Sequence, residues 1–245
     1  MIHLPQLELA SPDQFPHPSH ALTEPNGLLA FGGDLSAPRL LAAYRSGVFP
    51  WFSEGEPILW WSPDPRCVMR TDALKINRSL HRQLAKKNWR LTIDHAFRRV
   101  MEGCAGPRAH ETGTWIMPAM IDAYVALHTL GYAHSVEVWD EDRLVGGIYG
   151  VAVGQLFCGE SMFSAESGGS KIALIALAQL LRDMGFPLID TQVINPHTLS
   201  LGAHEIPREQ FLQEVARLTH LPGRVGSWAE LTPRLLQPCA GHANV

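Results

Sequence analysis

A chain of 245 residues with 46% hydrophobic and 18% charged side chains can bury a sizeable core, either as one large domain or as a main domain with a smaller companion. Its net charge of −4 argues against a uniformly basic nucleic-acid binder, but eleven of the 20 Lys and Arg fall between Arg66 and Arg108 against three acids (Asp72, Asp94 and Glu102), a local +8 beside −12 elsewhere. Such a block is a localised footprint for a polyanion.

Met1 to Leu9 has a Pro and an acid where a secretory signal would have a basic start and an apolar run. No apolar stretch approaches the roughly 20 residues of a membrane span. The expected compartment is therefore cytoplasmic, with no membrane partner. Residues 1–64 are rich in Pro, Gly and Trp and read as a small N-terminal lobe of turns and short strands. Within it one helix is predicted from Ser36 to Ser46, with Ser36 as N-cap, Pro38 early and Leu40, Leu41 and Tyr44 on its apolar face.

Residues 65–245 form the second predicted unit. Asn77 to Lys87 has helical spacing, with Leu80 and Leu84 four apart. Arg90–Ile93 reads as a short strand. Phe97, Val100, Met101 and Cys104 mark a helix, and Met117–Leu130 another, closed by Gly131 as a left-handed cap. Three strands follow as an antiparallel meander: His134–Trp139, Leu144–Val153 and Gln155–Met162, joined by the acidic turn DEDR and by Gly154. A helix from Ser170 to Met184 ends at Gly185. Leu188–Gln192 is a buried strand, and Pro207 opens a last helix through Leu218. The order predicts an α+β or mixed α/β fold with a twisted, mostly antiparallel sheet. A strand–helix–strand passage after a meander resembles the N-acetyltransferase-like folds.

Several features carry possible chemistry. Arg78, Arg82 and Lys86 are spaced i, i+4, i+8 on one helical face, flanked by Lys75 and Lys87, and can span adjacent phosphates of a folded RNA or form a solvated face. Phe49, Trp51, Phe52, Trp60 and Trp61 crowd one stretch. Most read as core, but Trp51 after Pro50 and Trp115 after a Gly-Thr turn are placed to stack on a base. In FCGESMF, Glu160 interrupts an apolar run and needs a partner or a function, while Phe157, Met162 and nearby Ile148 can line an apolar pocket.

The SGGSK turn enters a helix without the spacing of a triphosphate loop, so Ser170 is expected to be an N-cap beside amides that can bind an anion. In IDTQ, Asp190 and Gln192 share a strand face while Ile189 and Thr191 point the other way. A carboxylate beside an amide fixes the amide's orientation, and the Gln carbonyl can then hold an amine against an ester. Cys67, Cys104, Cys158 and Cys239 are scattered without CxxC, and the 12 histidines form no HxxxH or HExxH. No metal is expected.

The strings EPNGLLAFGGDLS, GVFPWFSEGEPILWWSPDPR, GTWI, AHSVEVW, LVGGIYGVAVGQLFCGESMFS and LIDTQVINPHTLSLGAHEIPR, in this order from Phe15 to Arg208, resemble the leucyl/phenylalanyl-tRNA–protein transferases. The resemblance implies transfer of Leu or Phe, and less well Met, from aminoacyl-tRNA to an N-terminal Arg or Lys of a protein, creating an N-terminal degradation signal. It implies two lobes with a C-terminal acyl-CoA N-acyltransferase-like domain, no cofactor, and a protein read here as a monomer. It implies catalytic roles for Asp190, Gln192 and Glu160, and terminal-adenosine contacts at Trp51 and Trp115. The implied side-chain pocket is Ile148, Phe157, Met162, Leu177 and Ile189. Arg78, with Arg82, Lys86 and Lys87 close by, is implied for the tRNA backbone. Two other readings compete: an acyl-CoA N-acyltransferase, suggested by the SGGSK turn, and a non-enzymatic RNA-binding module, suggested by the basic helix and the tryptophans.

Overall fold

The structure, a computed structural model, describes residues 4–76, 87–106 and 116–231. The predicted helix at 77–87 lies outside these residues except for Lys87, as do Arg78, Arg82, Lys86, Trp115 and Cys239. The fold is α+β with two mixed sheets. The first holds β1 (Gln6–Leu7), β2 (Leu28–Gly32), β3 (Phe49–Pro50) and β4 (Leu59–Trp61) in the order β1-β2-β4-β3. Helix α1 (Ala37–Arg45) follows β2. Ser36 is its N-cap residue but makes no side-chain cap bond. Instead, its own N–H donates to Asp34 Oδ1 at 2.9 Å.

The second sheet has seven strands: β5 (Arg66–Arg70), β6 (Arg90–Ile93), β7 (Ala133–Asp140), β8 (Arg143–Val153), β9 (Leu156–Ser164), β10 (Leu188–Gln192) and β11 (His204–Ile206), ordered β11-β5-β10-β9-β8-β7-β6. The meander β7–β8–β9 is antiparallel, as its turn residues predict. Helices α2 (Phe97–Ala105) and α3 (Pro118–Thr129) precede it, and Gly131 ends α3 at φ 80°. Helix α4 (Gly169–Asp183) then crosses over, so that β10 pairs parallel to β9 and antiparallel to β5. Short α5 (Pro196–Ser200) and α6 (Arg208–Thr219) complete the described elements.

Period-two alternation divides the sheet into two apolar faces. Ile189, Met69 and Ile148 face α4, whose buried stripe includes Ile172, Leu174 and Leu177. Leu188, Val68 and Tyr149 face the other way, into one cluster with Val100, Tyr124 and Phe211 and with Leu29, Tyr44 and Trp60 of the N-terminal part. The two sheets thus share a continuous core. Among the described residues, no helix is long and apolar enough to cross a membrane.

The structure corrects one local expectation. Ser170 is not the N-cap of α4; Gly168, at φ 94°, holds that position. The Ser164 hydroxyl at the end of β9 accepts the Ser170 N–H at 2.8 Å. The helix start can lie this close to the sheet because both chains are glycine there. A Cβ on Gly169 would stand 2.5 Å from the Val145 carbonyl oxygen, and one on Gly146 would stand 2.5 Å from Gly169.

Candidate active site

Strand β10 ends in an irregularity. Its register against β5 slips between Asp190 and Gln192, leaving Thr191 without a counterpart, and Gln192 has φ 63°, in the left-handed region. Strand β9 slips as well: Tyr149 pairs with Ser161 and Gly150 with Gly159, so Glu160 is the extra residue. The strict alternation predicted for IDTQ therefore stops at Asp190. Asp190 and Gln192 serve different partners, and Thr191 lines the same cleft as Gln192.

Asp190, at 1% exposure, takes a two-pronged bond from Arg66: Nε donates to Oδ1 at 2.8 Å and Nη2 to Oδ2 at 2.7 Å. The Arg66 guanidinium lies 4.8 Å from the Phe49 ring centroid and 4.5 Å from that of Phe211. The backbone N–H of Gln192 donates to Asp190 Oδ1 at 2.9 Å.

The Gln192 side chain instead reaches Glu160, its Nε2 donating to Oε1 at 2.8 Å. Glu160, not Asp190, is thus the carboxylate that orients this amide. Tyr124 donates its hydroxyl to Glu160 Oε2 at 3.2 Å, and a short hydrogen bond joins Tyr124 to Tyr44 behind it. The interrupting acid of FCGESMF has partners on both oxygens. Burial pushes its pKa up to about 7, and the nearby Asp190 charge adds to this, while hydrogen bonds from Tyr44, Tyr124 and Gln192 pull it down. Burial and the Glu160 charge hold both tyrosine hydroxyls well above their ordinary value.

Glu160 and Gln192 line a cleft of about 580 Å³ with Phe49, Trp51, Met162, Ser170, Thr191, Val193 and His197. Trp51 is 45% exposed, whereas Trp60, nine residues on, is wholly buried with its Nε1 donating to the Gly32 carbonyl. Trp61 Nε1 donates to the Trp51 carbonyl at 2.6 Å, which anchors the turn that presents the Trp51 indole.

Of the predicted apolar pocket, Met162 lines the cleft. Ile148, Phe157, Leu177 and Ile189 form one buried cluster against which Met162 packs. Those four do not line the cleft themselves.

The basic segment proves partly self-compensated. Arg66 pairs with Asp190, Arg70 with Asp72 and Arg98 with Asp122, while Lys87 meets Glu166 at 2.8 Å. The Arg90 and Arg99 guanidiniums lie over the Trp139 ring, at 5.3 and 4.9 Å from its centroid. The cleft-lining residues do not include Lys87. Cys67, Cys104 and Cys158 are buried.

Sequence reasoning missed Arg66, Tyr44 and Tyr124 as parts of the site. Tyr44 and Tyr124 sit on helix faces that read as core. A signal for Arg66 was available: it is a guanidinium within the apolar strand RCVM, the same kind of interruption that drew attention to Glu160.

Comparison with known proteins adds an independent observation. The family model for leucyl/phenylalanyl-tRNA protein transferase matches residues 68–216, and the model for the N-terminal domain of those proteins matches residues 33–64. The chain is similar to the leucyl/phenylalanyl-tRNA–protein transferase of Xanthomonas axonopodis pv. citri (strain 306), with 58% identity over 229 residues, 93% of this chain and 92% of that one. With the protein of the same name from Shewanella woodyi (strain ATCC 51908 / MS32) it shares 54% identity over 217 residues, 89% of this chain and 92% of that one. Among solved structures, L-PGS from Bacillus licheniformis aligns with a TM-score of 0.41 at 11% identity, covering 78% of this chain and 73% of that one.

Proposed function

The chain belongs to the leucyl/phenylalanyl-tRNA–protein transferase family and is an aminoacyltransferase that moves Leu or Phe from a tRNA to the N-terminus of a protein, and we propose that this transfer takes place in the cleft at Trp51, Glu160 and Gln192. The observation that carries the assignment is the 2.8 Å bond from Gln192 Nε2 to Glu160 Oε1. With its NH₂ committed there, the Gln192 amide turns its carbonyl oxygen elsewhere, free to accept an N–H of the incoming amine. An aminoacyl ester arrives activated, so orienting that amine accounts for much of the rate.

In the proposed reaction the amine lone pair forms the C–N bond and the ester C–O bond breaks. Glu160, in its carboxylate form, takes the proton lost by the nitrogen. That proton ends on the ribose oxygen, which leaves as the tRNA hydroxyl. Trp51 stacks on the terminal adenosine, which is consistent with its exposed indole. The apolar cluster Ile148, Phe157, Leu177 and Ile189, fronted by Met162, receives the Leu or Phe side chain, and a Met side chain less well.

The acceptors proposed are N-terminal Arg and Lys, the site of action is the cytoplasm, and the acting unit is a monomer. Residues 1–64 and 65–245 are proposed as its two domains, the second with an N-acetyltransferase-like fold. The meander followed by the parallel β9–α4–β10 crossover supports that reading.

Incubation with Leu-tRNA and a peptide beginning with Arg tests the whole. Leucylated peptide is expected from the native chain. Gln192→Ala is expected to lower kcat by about 100-fold while tRNA binding stays within about twofold. Native kcat in that variant, or equal losses of rate and tRNA binding, would remove Gln192 from the chemistry.

A further inference from the structure

The transfer chemistry by itself does not call for Arg66. Its side chain is 1% exposed and hydrogen-bonds to the reaction centre through Asp190. Stability is a weak reason for such a pair, because apolar replacements of similar size are often neutral or stabilising. The adjoining backbone supplies another reason. Gln192 has φ 63°, a conformation that a non-glycine residue keeps only when its surroundings impose it. The Asp190 carboxylate accepts the Gln192 N–H at 2.9 Å and holds the peptide at that turn. Arg66 in turn holds the carboxylate by two bonds, at 2.8 and 2.7 Å. Phe49 from β3 and Phe211 from α6 both lie against the guanidinium and hold it in place.

We propose that Arg66 is a positioning residue of this site: through Asp190 it sets the backbone of Gln192, and so the line from Gln192 to Glu160. The inference rests on the roles given to Gln192 and Glu160 above. Under it Asp190 is also a positioning residue, and no proton of the reaction passes to it. Both carboxylate oxygens face Arg66, and the Gln192 group that meets Asp190 is the backbone N–H, not the side chain.

The test compares Arg66→Lys, Asp190→Asn and the apolar pair Arg66→Met with Asp190→Leu in the full chain. Each is measured for kcat, KM for Leu-tRNA, tRNA binding and melting temperature. Arg66→Lys keeps the charge but loses the fork. It is expected to lower kcat by about tenfold or more, with KM and tRNA binding within about twofold. The apolar pair is expected to fold and yet lose about 100-fold in kcat. In Asp190→Asn kcat falls, but the rise of activity with pH remains, because Glu160 still sets it; its midpoint moves down, since the Asp190 charge that raises the Glu160 pKa is gone.

An apolar pair that folds and keeps kcat within about threefold of native overturns the proposal. So does an Arg66→Lys loss confined to KM, or a pH dependence that disappears in Asp190→Asn. If the apolar pair fails to fold, the kcat-against-KM split of Arg66→Lys decides. Gln192→Ala is run alongside. Native kcat there overturns the reading of the site as a whole, whereas loss there beside a fully active apolar pair overturns only the role of Arg66.

Discussion

Tyr124 donates to one oxygen of Glu160 at 3.2 Å, the oxygen that Gln192 leaves free. The hydroxyl stabilises the carboxylate form and so holds its pKa down against burial. Tyr124→Phe removes that bond. As base, Glu160 must be ionised, so native kcat is expected to rise with pH up to about 7 and level off above it. In Tyr124→Phe the midpoint moves upward, and Tyr44 keeps its contact with Glu160 but loses its bond to Tyr124, costing about 1 kcal/mol of stability. Single-turnover rates across a pH series check this, and an unmoved midpoint would separate Tyr124 from the titration.

Glu160 also links stability to pH. Its folded pKa, about 7, lies above the ordinary 4.5, so the fold prefers the neutral acid. The stability from this preference is complete below pH 4.5 and is lost as pH rises through about 7. Glu160→Gln keeps a neutral group of the same shape. It should melt close to native at pH 5 but be more stable at pH 8, by up to about 3 kcal/mol, while kcat falls by about 100-fold or more. Denaturant titrations at the two pH values read the difference. A variant less stable than native at pH 8 would contradict it.

Trp51 and Trp60 make a contrasting pair. Trp51→Ala removes an exposed indole, so stability changes by less than about 0.5 kcal/mol. Binding of an aminoacyl-adenosine analogue is expected to weaken by about 1–3 kcal/mol from the lost stack. Trp60→Ala empties a buried site and is expected to destabilise by about 3–5 kcal/mol. Melts and analogue titrations on both variants separate binding from folding. A Trp51→Ala protein that binds the analogue like native would exclude stacking at this position.

The chain after α6 is pinned to the sheet by stacked rings. His134 and Trp228 lie 3.5 Å apart between centroids at 4° between planes, and Asp94 Oδ2 accepts both His134 Nδ1 at 2.8 Å and the Trp228 N–H at 2.9 Å. Burial pushes the His134 pKa below its ordinary value, against the pull of Asp94. The neutral ring is therefore the folded form. Its contribution is complete above about pH 6.5 and is lost as pH falls through the lowered folded value. His134→Phe keeps a ring over Trp228 but cannot titrate. It should be less stable than native at pH 7, with a shallower loss between pH 7 and pH 5. A pH series of melts distinguishes this from a slope that the substitution leaves unchanged.

Much of the architecture was legible in the sequence because it rests on local periodicity. β6 and β10 occupy the residues their alternation predicts, and the meander turns fall at DEDR and Gly154. Strands β5 and β11 and helix α5 were not anticipated. Each is short, and β5 is apolar on consecutive residues because both its faces are covered, so it carries no alternation to read.

The chain by itself also singled out Glu160, because a carboxylate in an apolar run is costly unless it is paired. It marked Trp51 and placed Asp190 and Gln192 together. Tertiary structure alone decided which partner each acquires. Arg66 and Asp190 are 124 residues apart, Tyr44 and Tyr124 are 80 apart, and Glu160 and Gln192 are 32 apart. A strand's period reports which way a side chain points, but not what the rest of the fold brings to meet it. Two register slips, one at Glu160 and one at Thr191, broke even that local rule at the reaction centre. They turned an expected Asp190–Gln192 pair into two linked contacts, Arg66 with Asp190 and Gln192 with Glu160, because hydrogen bonds between distant segments outweigh the local preference for regular alternation.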